Sequence, residues 1–391
     1  MRNPFESTQT WYGPDRSERY IRAFVAFVMI VSLVAILMIF RGHYLMGGHS
    51  WNTADWLINA ENVHVRRGLF GSALLRISDT LHVSPLSVAI LLQCSLATAI
   101  TLGVLRALWA SPFPGLTALL LLSPGFCLLF WAADPYGTAR KEMITYAAMA
   151  LLLFSTGTPS RDRWVVAFAS LLFAFGVSGH IANAMMTPMF LFMAWIVLGR
   201  ATPQWIVTAA LLLPWAAFHT WYPIRFSGIA SAMDVCQPLL DRGLNESFCK
   251  DAIRVTADNA GSAVDYVAER AYGRGYGAWH LIIYPGLLLP LLYLLGRTNG
   301  TRTMLWPIIL SVLPILPLYS VGLDWGRQTV MHVTPILLLF ALMLLRGRIR
   351  QTKTIPTASS LLLLVLGIVW APKHVFGLDW GMPIELIAGL F

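Results

Sequence analysis

The chain alternates apolar runs with short polar connections. The runs fall near 23–41, 85–106, 114–133, 141–156, 164–180, 184–199, 204–222, 279–296, 303–321, 331–346 and 357–371. A stretch of roughly 20 apolar residues is what a helix needs to cross the hydrocarbon of a bilayer. Backbone amides and carbonyls find no water there, so each run is expected to close its hydrogen bonds internally as a helix. The pattern predicts an all-α, polytopic membrane protein of about eleven transmembrane helices, organised as one membrane-embedded domain over 1–391. Several runs are short, which places part of each helix in the flanking polar segment. The first, Ala23 to Phe40, follows Arg16, Arg19 and Arg22 without a small-residue cleavage site behind it. It is read as a retained first helix.

Two polar segments interrupt this pattern, about 43 residues at 42–84 and about 56 at 223–278. In the first, Trp51, Trp56, Leu57, Ile58 and Val63, then Leu69, Phe70, Leu74, Leu75 and Ile77, recur at roughly helical spacing. Two short amphipathic helices on the membrane surface fit that spacing. The end of the second segment, Asp265 to Tyr276, reads as a helix closing in a Gly-rich turn.

Charge then orients the bundle. With a cytoplasmic N-terminus, the short inner loops hold Arg106, Arg161, Arg163, Arg200, Arg297, Arg302, Arg346, Arg348, Arg350 and Lys353. That satisfies the positive-inside rule, and an odd number of spans puts the C-terminus outside. Fifteen of the 19 acids then lie outside, so any chemistry is expected at the outer face of the membrane. Composition agrees: 57% hydrophobic, 12% charged and a mean hydropathy of +0.64. Soluble domains carry about 25% charged residues. The net charge of +9 does not call for nucleic acid, because basic inner loops account for part of it. Of the four cysteines, Cys94 and Cys127 sit in apolar runs as inert core thiols, while Cys236 and Cys249, thirteen positions apart in an outer loop, are expected to form a disulfide.

Three charged clusters stand at the outer ends of the apolar runs. They are Arg66-Arg67-Gly68, the stretch Asp134-Pro135-Tyr136-Gly137-Thr138-Ala139-Arg140-Lys141-Glu142, and Asp324-Trp325-Gly326-Arg327. Thr138 reads as the N-cap of the fourth helix, which would set Arg140 and Lys141 in its first turn. A helix N-terminus disfavours cations unless an anion joins them, so a bound phosphate would resolve the conflict. A local ion pair of Asp134 with Arg140, pinning the hairpin, is the competing explanation. His180 reaches the same face and is a candidate base or a packing residue. There is no His-Glu-x-x-His, no zinc-spaced cysteine pair and no P-loop, so no cofactor is called for, while a divalent cation stays open.

Topology and these motifs resemble the GT-C superfamily of membrane glycosyltransferases and the Wzy-type polymerases of bacterial surface polysaccharides. Arg-Arg-Gly-Leu-Phe-Gly (66–71), Asp134 with Arg140-Lys141-Glu142, and Asp-Trp-Gly-Arg (324–327) carry the resemblance. It implies a GT-C-like fold and transfer of a sugar or repeat unit from a polyprenyl phosphate or diphosphate carrier. Donor glycan, acceptor glycan, membrane lipids and other proteins of a polysaccharide assembly pathway would be the partners. Asp55 or Glu61 would match the first-loop acid that activates the acceptor hydroxyl. Arg66, Arg67, Arg140, Lys141 and Arg327 would hold the lipid phosphate. Paired acids are usual in that loop, whereas Asp55 and Glu61 are six apart, which leaves Asp134, Asp324 and His180 as alternative bases. Trp56, Tyr136 and Trp325, with Trp51 and Tyr276, offer flat faces for sugar rings or belong to an interfacial aromatic belt. A transporter or flippase of a lipid-linked or anionic substrate is the rival, with Pro214, Pro307, Pro314 and Pro317 as helix breakers. A scaffold within an export complex is third.

Overall fold

The computed structural model describes residues 16–65, 67–199, 202–225, 231–257, 260–273, 275–375, 377–381 and 384. Each apolar run is helical, in one piece or broken. Among the described residues, five helices are long and apolar enough to cross a membrane: Arg19–Leu45, Pro85–Ala110, Pro159–Gly179, Gly277–Leu295 and Trp325–Leu345. Glu142–Phe154, Thr187–Leu198 and Thr357–Val369 are apolar but shorter. The protein is thus a mostly helical, membrane-embedded bundle.

Helix Trp325–Leu345 is its axis. The most apolar window of this helix is 94% buried inside the protein, against 39–44% for the other four. It packs on Pro85–Ala110, Glu142–Leu151, Tyr276–Leu295, Thr301–Ile315 and Thr187–Leu198. With 21 residues rising about 1.5 Å each, it separates two charged ends by about 30 Å. At one end Arg346 Nη1 meets Asp162 Oδ2 at 2.8 Å, and its Nη2 donates to the Val197 carbonyl at 2.8 Å. At the other stand Asp324 and Arg327.

The axis helix also explains a break in the third apolar run. Pro114–Leu121 and Cys127–Ala133 are interrupted at Ser123-Pro124-Gly125, where helical bonding fails. Thr334 Oγ1 on the axis fills the gap, donating to the Gly125 carbonyl (3.1 Å) and accepting from the Cys127 amide (3.0 Å). Buried backbone groups at the break are therefore paired.

The two large polar segments fold together over the end that bears Arg327. Only the second expected surface helix forms, Gly68–Leu81, burying Phe70, Leu74 and Leu75. The first is reduced to a single 3-10 turn, Ala54–Leu57, and Trp56, Leu57 and Ile58 are fully buried. Trp56 packs edge-on to Phe70, ring centres 5.6 Å apart, and polar neighbours of this turn reach the second segment. Asn59 Nδ2 donates to the Val235 carbonyl at 2.8 Å, and Ser50 is hydrogen-bonded to Asp251. Gly48, at φ 112°, lies directly under the Phe248 ring, where any Cβ would overlap the ring. Helix Ala260–Ala268 continues as a π-helical turn over Glu269–Gly273, close to the helix expected there.

Cys236 and Cys249 form the expected disulfide, with Cα atoms 5.4 Å apart. Closing a loop of this size contributes about 3 kcal/mol on the chain-entropy account. Replacing either cysteine with Ser is expected to shift mobility on a non-reducing gel and to lower the thermal midpoint; unchanged migration would contradict the bridge. Cys94 and Cys127 are free, half-buried and buried.

The chain ends differently from the expected last span. Helix Thr357–Val369 stops early because Trp370–Pro372 turns into a strand, antiparallel to Leu378–Trp380. The Gly-Leu-Asp-Trp-Gly pentapeptide thus opens the axis helix at 322–326 and forms a strand at 377–381. Such opposite outcomes mark the repeat as coincidental.

Candidate functional site

The Asp134–Lys141 hairpin is built by its own polar groups. Asp134 Oδ1 accepts the amides of Tyr136 and Gly137, both at 3.0 Å. Thr138 Oγ1 donates backwards, to the carbonyls of Trp131 (2.5 Å) and Asp134 (2.8 Å). Thr138 therefore ties the turn and is not a helix N-cap; the helix starts later, at Glu142, with Lys141 before it. The cause is Ala139, held at φ 64°, where a helix cannot propagate. A non-glycine residue there costs about 1–3 kcal/mol unless its surroundings enforce it. Enforcement comes from the Ala139 carbonyl, which accepts from Trp56 Nε1 and, at 3.1 Å, from Gln93 Nε2.

This strained step carries two cations into the protein. Arg140 is 7% exposed and Lys141 is fully buried. Lys141 Nζ has no hydrogen-bond partner, and neither has Arg140 Nε. Their neighbours are aromatic: Lys141 Nζ lies 5.3 Å from the Phe70 ring centre, and Arg140 Cζ 5.3 Å from that of Trp51. Ring faces compensate a cation by only about 0.5–2 kcal/mol.

The other clusters arrive at the same place. Arg67 Nη1 meets Asp55 Oδ1 at 3.3 Å, with the carboxylate nearly buried. Arg327 is paired twice, with Glu142 Oε1 at 3.0 Å and with Asp324. Burial alone would raise the Asp55 carboxyl, but Lys141, Arg67, Arg140 and Arg327 acting together hold it below the ordinary carboxylate range. Four cations from three separate stretches of chain thus act on one acid. Burial also presses on the Arg140 charge, and Arg327 adds to that pressure. Among the described residues the group sets four cations against three carboxylates, Asp55 and Glu142 buried and Asp324 partly exposed.

Several expected residues take other places. Arg66 and the Tyr276 side chain lie outside the described residues. Glu61 is diverted to a surface network, where Arg242 spans Glu61 (3.0 Å) and Asp79 (2.7 Å). Trp56 is fully buried with its indole N–H committed, so its ring offers no face to a ligand. Trp325 is 7% exposed and packs on Val267 and Ala271, its Nε1 donating to the Tyr319 carbonyl at 2.9 Å. Tyr136 is 61% exposed and remains open to a ring-shaped ligand. Asp134 does not pair with Arg140; its second oxygen accepts from His374. His180 Nδ1 accepts the Ala182 amide at 3.0 Å, which leaves Nε2 with the proton. In that tautomer His180 presents an N–H donor to its surroundings. It lines a crevice with Arg67, Gly68, Ser178 and His219. Two important groups escape a reading by motif: Glu142 as the partner of Arg327, and His374, which lies 240 positions from Asp134.

The C-terminal hairpin seals the site. The amides of Gly326 and Arg327 donate to the Val375 and His374 carbonyls, each at 3.1 Å. Those two amides open the axis helix and would otherwise lack partners. Gly326 is needed for this approach, since a Cβ would overlap the Lys373 carbonyl. Gly326→Ala is expected to cost about 1–3 kcal/mol as an overpacking change. Faster proteolysis after Pro372 would report the loosened hairpin, and wild-type protection would contradict it.

No protein-family model, curated protein or solved structure matches the chain. Among the described residues no group of three or more His, Cys, Asp or Glu is placed to hold a metal ion.

Proposed function

We propose that the chain is a membrane glycosyltransferase or polymerase for a cell-surface polysaccharide. It would move a sugar or repeat unit from a polyprenyl phosphate or diphosphate carrier at the periplasmic face of a bacterial inner membrane. The observation that carries this reading is Lys141, a buried ammonium without a hydrogen-bond partner, beside Arg140 and in the same field as Arg67 and Arg327. An unpaired charge is expensive to bury, so a site that keeps one is organised for an anion that arrives later. Departure of a phosphate leaves negative charge on its oxygens, and preorganised cations stabilise that charge. A carrier anchored by its prenyl chain would bring the phosphate to this depth. Partly exposed Trp51 lies beside Arg140, and exposed Tyr136 precedes Arg140 in the same hairpin; both offer surfaces for sugar rings.

A second reading, a transporter or flippase of a lipid-linked anion, draws on the broken helices at Ser123-Pro124-Gly125 and at His180. Membrane vesicles carrying the chain and the cell's own lipid-linked donors separate the two. Glycosyl transfer lengthens the glycan chemically, and Arg140→Ala is expected to abolish that lengthening with the protein still folded. Lengthening at the wild-type level in Arg140→Ala would contradict the site. Movement of the lipid across the membrane without any new glycosidic bond would favour the second reading.

A further inference from the structure

The hairpin that seals the site also brings a histidine to it. His374 Nδ1 lies 2.8 Å from Asp134 Oδ2, and its backbone amide donates to the same oxygen at 2.6 Å. The other oxygen of Asp134 takes the two amides of Tyr136 and Gly137. A carboxyl that receives three backbone N–H groups is an acceptor and holds no proton of its own. Burial would raise it, and the hydrogen bonds from His374 and Gly137 bring it below the ordinary carboxylate range. His374 Nδ1 therefore donates its N–H to this oxygen, which in the uncharged tautomer leaves the Nε2 lone pair available. Such a carboxylate–imidazole pair fixes the tautomer and stabilises the imidazolium that forms when the ring takes a proton.

Position matters as much as tautomer. The His374 ring keeps a quarter of its side-chain surface exposed. It lies 6.1 Å from the exposed Tyr136 ring, and His49 lies 6.0 Å from the same ring. The His374 carbonyl accepts the Arg327 amide at 3.1 Å, which ties its backbone to that of a residue in the cation group.

Resting on the glycosyl-transfer reading above, we infer that His374 is the general base of the reaction and that Asp134 is its positioning residue. In the step proposed, the acceptor hydroxyl gives its proton to His374 Nε2 as its oxygen bonds to the donor sugar's anomeric carbon. The bond from that carbon to the carrier phosphate oxygen breaks, and the phosphate leaves with the electron pair, beside Arg140, Lys141 and Arg327. Asp55, held ionised between cations, is then a counter-ion for the phosphate site and not the base. Tyr136 and His49 flank the acceptor.

The test separates the base from the fold and from the phosphate site. His374→Asn keeps a donor close to the place of Nδ1 and so keeps the tie to Asp134, but it has no basic nitrogen. In vesicles, glycan lengthening by His374→Asn is expected to fall by about 100-fold or more, the usual range for a lost general base. Binding of farnesyl diphosphate, used as a soluble probe of the carrier, should stay within about twofold of wild type, because the phosphate cations are untouched. In His374→Ala, added imidazole is expected to restore lengthening about tenfold or more, since a free base can enter the gap. The inference is overturned by near-wild-type lengthening in His374→Asn, by loss of farnesyl diphosphate binding together with activity, or by failure of imidazole to restore anything. If Arg140→Ala binds farnesyl diphosphate as wild type does, the phosphate reading fails first. If Arg140→Ala loses binding while His374→Asn stays active, only the base is wrong.

Discussion

Replacing Lys141 with Met is expected to make the protein more stable and inactive at once. The ammonium is fully buried, lacks a hydrogen-bond partner, and rests near the Phe70 ring and against Gly179. Removing a charge from such a place, with a chain of similar volume left behind, is expected to stabilise the fold by about 1–4 kcal/mol. The same change should abolish glycan lengthening and farnesyl diphosphate binding, since the central cation is gone. Thermal unfolding in nanodiscs, read beside binding, checks both halves. A drop in thermal midpoint would mean that Lys141 is a structural ion-pair member, and its role in the site would fall.

Arg327 is expected to behave in the opposite way. It is the shared partner of Glu142, which is buried, and of Asp324, which keeps about a third of its side-chain surface in contact with solvent. Arg327→Met strands the Glu142 carboxylate, and breaking a buried pair from one side costs about 3–5 kcal/mol. The variant should unfold early as well as lose activity. Adding Glu142→Met removes the stranded charge, while solvated Asp324 tolerates its loss of partner. The double variant is thus expected to regain most of the stability and none of the activity. Stability of Arg327→Met equal to wild type would contradict the pairing. Recovery of lengthening in the double variant would contradict a role for Arg327 in the reaction.

The contrast between these two cations shows where a sequence can be read and where it cannot. Arg67, Arg140, Lys141 and Arg327 stand out because charge is costly beside apolar runs, so their presence at run ends signals a common task. Which of them is already paired depends on chain folding. Glu142 reaches Arg327 across 185 positions, and nothing local announces it. Local propensity misled at two points. Thr138 has the chemistry of an N-cap, but the left-handed step at Ala139 postpones the helix, and Trp56 and Gln93 hold that step by its carbonyl. Trp56 looked like an interfacial ring, yet it is the buried support for that same carbonyl. The apolar runs marked the helices well, because hydrocarbon leaves backbone groups no alternative. They marked length poorly, because Thr334 and the C-terminal hairpin supply partners that let helices break or stop early.

The central claim is that the buried cations are assembled around a carrier phosphate, and a cryo-EM structure of the protein in nanodiscs with undecaprenyl diphosphate tests it most directly. The account predicts phosphate oxygens within hydrogen-bonding distance of Lys141 Nζ, with Arg140 turned onto the same group and the Arg327–Glu142 pair still in place. Phosphate density at any other place, with Lys141 still unpartnered, would contradict it.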